Sequence, residues 1–206
     1  MKEKMEGSAT RRAARAPLVS IAVAGAAAMA LLAPFAFEMT RAGVHEGELW
    51  RLLTGHLAHY GLYHFVVDAG TLLALGWMYE SRFGPRRWAL LLGGAALVIS
   101  LFFLAAEPGF ERYRGLSGVD CAAFAAAILC EFPKRKPLAI VLAALFAAKL
   151  LFEQSSGGFL FPSTGLGDMG LPVLSAHTVG AAAGFAMALT AFLRDREKIP
   201  RLNKVG

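Results

Sequence analysis

Two side chains with catalytic chemistry stand near the starts of two separate apolar segments. Ser117 lies in Arg114-Gly115-Leu116-Ser117-Gly118, and His177 lies in Ser175-Ala176-His177-Thr178-Val179-Gly180. A polar, reactive group inside an apolar span costs free energy and is a functional candidate by default. A serine and a histidine that meet at one depth make a nucleophile and a general base. Taken alone, His177 reads equally as a core histidine bonded to a backbone carbonyl, and Gly-x-Ser-Gly as a small-residue string. The pairing is what carries information.

The elements that must position this pair are membrane helices. Of the 206 residues, 56% are hydrophobic and only 17% are charged, and the charges cluster between long apolar runs. Six apolar stretches are visible, roughly 17–37, 57–79, 88–106, 116–132, 137–153 and 172–193. Spans of about 20 apolar residues suit a bilayer, and they must be helical because an open sheet edge leaves its backbone unsatisfied in lipid. The expected fold is an all-α membrane protein, a bundle of six transmembrane helices. The first stretch follows basic residues like a signal peptide, but five further spans favour a retained anchor.

Charge placement sets an orientation. Lys and Arg before the first stretch, between the second and third, between the fourth and fifth, and in the tail account for 16 of the 21 basic residues. The opposite side carries Arg41, Arg51, Arg112 and Arg114, with Lys149 inside a stretch. The positive-inside rule then puts both termini in the cytoplasm, for a protein of the plasma (inner) membrane. The net charge of +6 is read as topology and contact with anionic lipid, not as nucleic-acid binding. Three regions follow: a basic segment 1–16, a membrane domain 17–194, and a basic tail 195–206.

This orientation brings the polar residues to one level. The second, fourth and sixth stretches run from outside to inside, so His59, His64, Ser117 and His177 all fall in the outer half of the bilayer. Gly180 and Gly184 share a face of the last helix and invite close approach of a neighbour. Residues 154–171 form the longest outer loop, with five glycines; it reads either as a cap over a wet cavity or as a plain connector. Cys121 and Cys130 are nine apart and face different sides of one helix, with no disulfide or metal spacing. No cofactor and no metal are expected. His45 and His56 are expected at the interface, Trp50 at headgroup level, and Arg112 and Arg114 in a solvated loop. Lys149 is expected to snorkel with Glu153 as its i, i+4 partner.

In order along the chain, these residues resemble the rhomboid family of intramembrane serine proteases. Trp50-Arg51 resembles the family's first-loop motif. His59, and His64 followed by Asp68, resemble its His-x-x-x-Asn helix, and Gly76-Trp-Met-Tyr-Glu80 with Gly84 resembles the Gly-x-x-x-Glu end of that helix. Gly115-Leu-Ser117-Gly118 resembles the nucleophile motif, and His177-Thr-Val-Gly180-Ala-Ala-Ala-Gly184 the base motif. The resemblance covers roughly 48–194. It implies a Ser117–His177 dyad without a required third acid, cleaving a transmembrane or tail-anchored protein substrate in or near its membrane segment. It further implies an oxyanion site made by the Ser117 N–H and His64, with help from position 68 and with Gly115 and Gly118 in support. Glu111–Asp120 is also similar to the rhombosortase branch, whose members are associated with clipping C-terminal sorting tails from exported proteins.

Asp68 departs from the family's asparagine. An ionised carboxylate accepts hydrogen bonds but does not donate, and it repels an oxyanion. Either Asp68 stays protonated and donates, or it pairs with His64 one turn away and strengthens that imidazole as the donor. The i, i+4 pairing requires no unusual protonation state and is preferred; loss of activity is the remaining outcome. Asp120, three residues after Ser117, reads as a polar residue of the cavity rather than a triad member. Two rival functions stand beside proteolysis. One is a catalytically inactive rhomboid-like protein that binds transmembrane helices. The other is a small transporter with a histidine relay, which predicts inverted repeats that the sequence lacks.

Overall fold

The computed structural model describes residues 16–158 and 172–202, with side chains of the second stretch described over 174–196. The six apolar stretches correspond to the six longer helices. They are α1 Leu18–Ala30, α5 Leu62–Phe83, α6 Pro85–Ala106, α7 Ser117–Glu131, α8 Lys136–Ser156 and α9 Pro172–Leu202. Three short helices lie between the first two of these: α2 Pro34–Phe37, α3 Arg41–His45 and α4 Arg51–Thr54. The six-helix expectation is therefore met only in part, with nine helices among the described residues. Three of them, α6, α8 and the Leu174–Arg196 part of α9, are long and apolar enough to cross a membrane. At 13 and 15 residues, α1 and α7 fall short of a full span, while α5 has the length but carries His64, Asp68 and Glu80 on its buried face. The all-α expectation also needs amending. Strands β1 (Met39–Thr40) and β2 (Arg112–Tyr113) pair antiparallel, Met39 opposite Tyr113, and tie the first loop to the segment before Ser117.

Close backbone approach holds the centre together. α7 packs along α9, and the glycines anticipated on α9 are the reason. A Cβ at Gly180 would overlap the Gly118 carbonyl, and one at Gly184 would overlap the Ala122 carbonyl. Without side chains at these two positions the backbones approach closely and dispersion contacts build along the seam. α7 is correspondingly the most buried helix: Gly118, Val119, Asp120, Cys121, Ala122, Ala123 and others are all inside. The main apolar core joins Leu72, Leu75, Trp88, Leu91, Leu92, Ile99, Phe103, Phe110 and Tyr113 to Val119, Ala123 and Ala126 of α7 and Ala176 of α9.

Polar residues inside this core serve as fasteners. The Glu80 carboxylate accepts from the backbone N–H groups of Val19 and Ser20 and from the Ser20 hydroxyl, at 2.9 Å each. A helix N-terminus leaves such donors orphaned, so Glu80 on α5 caps α1. Gly76, one turn earlier, leaves room for Ser20, which any Cβ there would overlap. Trp88 Nε1 closes the group by donating to Ser20 Oγ. At the other end of α6, Arg41 donates to the carbonyls of Phe103, Leu104, Glu107 and Phe110, satisfying the last turn. By contrast α8 is peripheral. Its buried residues are Ala139 and Glu153, and Ile140, Val141, Leu145 and Leu151 are exposed as on a lipid-facing surface. α9 continues to Leu202, eight residues past the expected edge of the membrane domain, and Arg87 on α6 pairs with Asp195.

Gly184→Val should lower the unfolding free energy by about 3 kcal/mol, the upper range for overpacking a tight seam. Gly93→Ala, where a methyl meets nothing within 4 Å, should leave it unchanged or slightly raised. Thermal unfolding of the detergent-solubilised protein measures both.

Candidate active site

Ser117 is the first residue of α7 and is half-buried. Its position follows from Gly115, whose φ of +123° lies where side chains are strained. A Cβ at Gly115 would come 2.7 Å from His64 Cε1 and 2.8 Å from His64 Nε2. The turn that delivers Ser117 therefore passes directly over His64, and only glycine fits.

The α7–α9 seam fixes the partner. Gly118 lies against Ala176, where a Cβ would meet the Ala176 carbonyl at 3.0 Å, and Gly180 lies against Gly118. Ser117 and His177, flanking these contacts, belong to the same end of the same seam. His177 is 4% exposed, with side-chain partners on α8. Its Nδ1 is 2.8 Å from Glu153 Oε2 and 3.0 Å from Lys149 Nζ, both on α8. Lys149 Nζ is also 2.9 Å from Glu153 Oε2 and 3.8 Å from Cys121 Sγ. The expected Lys149–Glu153 pair is present, but instead of snorkelling outward it turns in towards His177.

Asp68 takes a position that reshapes the oxyanion expectation. Its Oδ2 accepts from the backbone N–H of Leu116 at 2.9 Å and of Ser117 at 3.1 Å. The same oxygen is 3.1 Å from His64 Nε2 and 3.3 Å from His59 Nε2. The preferred pairing of Asp68 with His64 is thus found, with an addition that the sequence did not reveal. The carboxylate caps the N-terminus of α7 and occupies the Ser117 N–H, the donor that the resemblance assigned to an oxyanion. A carboxylate at a helix N-terminus is favourable on its own account, so this contact is also a structural one. His59 Nδ1 donates to the Leu57 carbonyl at 2.9 Å. Its Nε2 then faces Asp68 attractively only when one of the two carries an additional proton.

Other expectations are corrected. His56 is not interfacial: it is 1% exposed, bonded through Nε2 to the Ala96 carbonyl at 2.9 Å and set edge-on to Tyr113. Burial lowers its pKa to about 4, so it is a neutral structural group at physiological pH. Arg114 is not in a solvated loop but buried, with Nε 2.8 Å from Glu38 and its guanidinium over the rings of Phe35 and Tyr60. Arg112, His45 and Trp50 are exposed. Arg51 pairs with Glu48 and donates to the Phe35 and Glu38 carbonyls, giving the Trp50-Arg51 motif a loop-fastening role. Asp120 is buried, and Cys121 and Cys130 are free thiols. Among the described residues no group of three His, Cys, Asp or Glu side chains is arranged to hold a metal ion. The loop expected over 154–171 starts later, since α8 runs to Ser156; residues 159–171 lie outside the described ones.

Glu153 is the site residue whose connection to His177 the sequence reading missed. The available signal was an acid inside an apolar run, but Lys149 four residues earlier offered a sufficient local partner. Its approach to His177, 24 positions on, depends on how α8 docks against α9.

Fold and site together define a helical membrane protein with a serine and a histidine on one inter-helix seam. The rhomboid domain matches residues 46–194, and the chain belongs to the rhomboid family. It is also similar to Inactive RHOMBOID-like protein 8 of Arabidopsis thaliana, at 38% identity over 84 residues. That match covers 38% of this chain and 24% of the relative, so the chain spans about a quarter of the relative's length.

Gly115→Ala should lower the unfolding midpoint clearly, because strain at positive φ adds to a clash with His64 and Asp68. A loss of about 2 kcal/mol is expected. Gly109→Ala, with open space around it, should be near neutral in the same thermal-unfolding measurement.

Proposed function

We propose that the protein is an intramembrane serine endopeptidase acting on transmembrane or tail-anchored substrates. The observation that carries this reading is the α7–α9 seam, whose glycine contacts bring the ends bearing Ser117 and His177 together. In the proposed reaction His177 Nε2 takes the Ser117 hydroxyl proton as Oγ attacks the scissile carbonyl carbon. The imidazolium then returns that proton to the leaving amine, and water releases the acyl-enzyme by the same steps in turn. His64 Nε2–H and the Ser117 N–H supply the oxyanion donors once Asp68 Oδ2, which holds both, yields them. Six crossings with both termini cytoplasmic, in a plasma (inner) membrane, belong to this reading and would put the seam end bearing Ser117 and His177 on the outer side. Similarity of Glu111–Asp120 to the rhombosortase branch makes C-terminal sorting tails of exported proteins the favoured substrates.

A specific observation supports a second reading, a helix-binding protein without catalysis. The bond from Ser117 N–H to Asp68 Oδ2 sets an anion where negative charge must develop, and the similar Arabidopsis protein carries the word inactive in its name. Labelling with a fluorescent fluorophosphonate separates the two. Wild-type protein should label, with the signal lost in Ser117→Ala and His177→Ala; a folded wild type that stays unlabelled would overturn the protease reading in favour of the helix-binding one.

Asp68→Asn should raise the labelling rate roughly tenfold, about the worth of one charge-assisted hydrogen bond returned to the Ser117 N–H. A fall instead would mean that the hold of Asp68 on His64 outweighs its competition for that N–H.

A further inference from the structure

We propose that Glu153 is the positioning acid of His177, and that Lys149 makes this role obligatory by penalising the wrong imidazole tautomer. The inference deepens the proteolytic reading above and rests on it for its catalytic consequence. Its structural part stands alone.

Three atoms converge. His177 Nδ1 is 2.8 Å from Glu153 Oε2, Lys149 Nζ is 2.9 Å from the same oxygen, and Lys149 Nζ is 3.0 Å from His177 Nδ1. An ionised carboxylate only accepts, so its 2.8 Å contact is attractive only with the proton on Nδ1, whereas the 3.0 Å Lys149 contact would need a lone pair there; the shorter contact assigns the proton to Nδ1. Nε2 then carries the lone pair that a general base must direct at Ser117. An ammonium also donates without accepting. If Glu153 were absent, Lys149 would turn its N–H onto the Nδ1 lone pair, drive the ring proton to Nε2 and disable the base. Glu153 thus does two things with one oxygen: it accepts from the imidazole, and it engages the lysine that would otherwise capture Nδ1.

The surroundings give this arrangement weight. α8 is a peripheral helix whose buried residues are Ala139 and Glu153, so a carboxylate is directed inward on an otherwise lipid-facing element. A buried charge there is expensive unless it is paired, and this one is shared between Lys149 and His177. Gln154, next along, donates to the Leu174 carbonyl and to Thr178 Oγ1, fixing the α8–α9 register on both sides of His177.

The test uses the full chain in detergent with ¹⁵N-labelled histidine, His177 being assigned by a His177→Gln variant. Wild type should give the Nδ1–H tautomer at neutral pH. Glu153→Leu should convert it to Nε2–H and lower the fluorophosphonate labelling rate at least 100-fold, while Glu153→Gln, which keeps an acceptor oxygen, should lose less than tenfold. The double variant Glu153→Leu/Lys149→Leu should recover about tenfold over Glu153→Leu, a rescue that a purely packing role for Glu153 would not give. An Nε2–H tautomer in wild type overturns the proposal, as does unchanged labelling or an unchanged tautomer in Glu153→Leu. Should wild type fail to label, the proteolytic reading falls, and the tautomer measurements still decide the positioning role.

Discussion

The backbone-to-backbone approach of α7 and α9 is the constraint from which the rest follows. At Gly180 and Gly184 the facing helix comes so near that a single methyl would collide with the carbonyls of Gly118 and Ala122. In an apolar environment there is little hydrophobic gain from pressing one helix onto another, so contact density along such a seam supplies the attraction. Because Gly118 is one residue from Ser117, and Gly180 three from His177, the seam that stabilises the bundle also sets the proposed pair. Stability and the proposed chemistry are coupled through the same few residues.

Around this seam several buried polar groups have a defined task. Glu80 caps α1, Arg41 closes the carbonyl end of α6, and Arg114 with Glu38 locks the first loop beneath two aromatic rings. Asp68 caps α7. The same logic of satisfying helix termini produces the site's main tension, because the N–H that Asp68 satisfies is one that a developing oxyanion would use. A cap that suits the folded protein competes with a donor that suits a transition state.

Much of this was legible in order along the chain. Six apolar stretches foretold the six longer helices, since hydrophobic length is written directly in composition. Gly180 and Gly184 announced a close-packed face, and Ser117 and His177 stood out because polar groups are rare in apolar segments. Errors arose where the environment of a side chain is decided by residues far away. His56 and Arg114 look like loop residues by their neighbours, yet Ala96 and Glu38, 40 and 76 positions distant, bury them. The three short helices and the two-residue ladder were missed because four or five residues carry too little periodicity to register.

The sequence by itself determined that this is a helical membrane protein, that its charges set one end apart from the other, and that a serine and a histidine share a level. These properties are local: hydrophobic run length, charge bias and residue chemistry do not depend on how helices dock. Tertiary structure alone decided which partners those side chains have. It gave His177 a carboxylate from α8, turned Lys149 inward, and set Asp68 on the Ser117 N–H. Such contacts depend on rotation and depth of one helix against another, and a shift of one residue turns a side chain about 100° around its axis. That freedom is removed only when the helices dock.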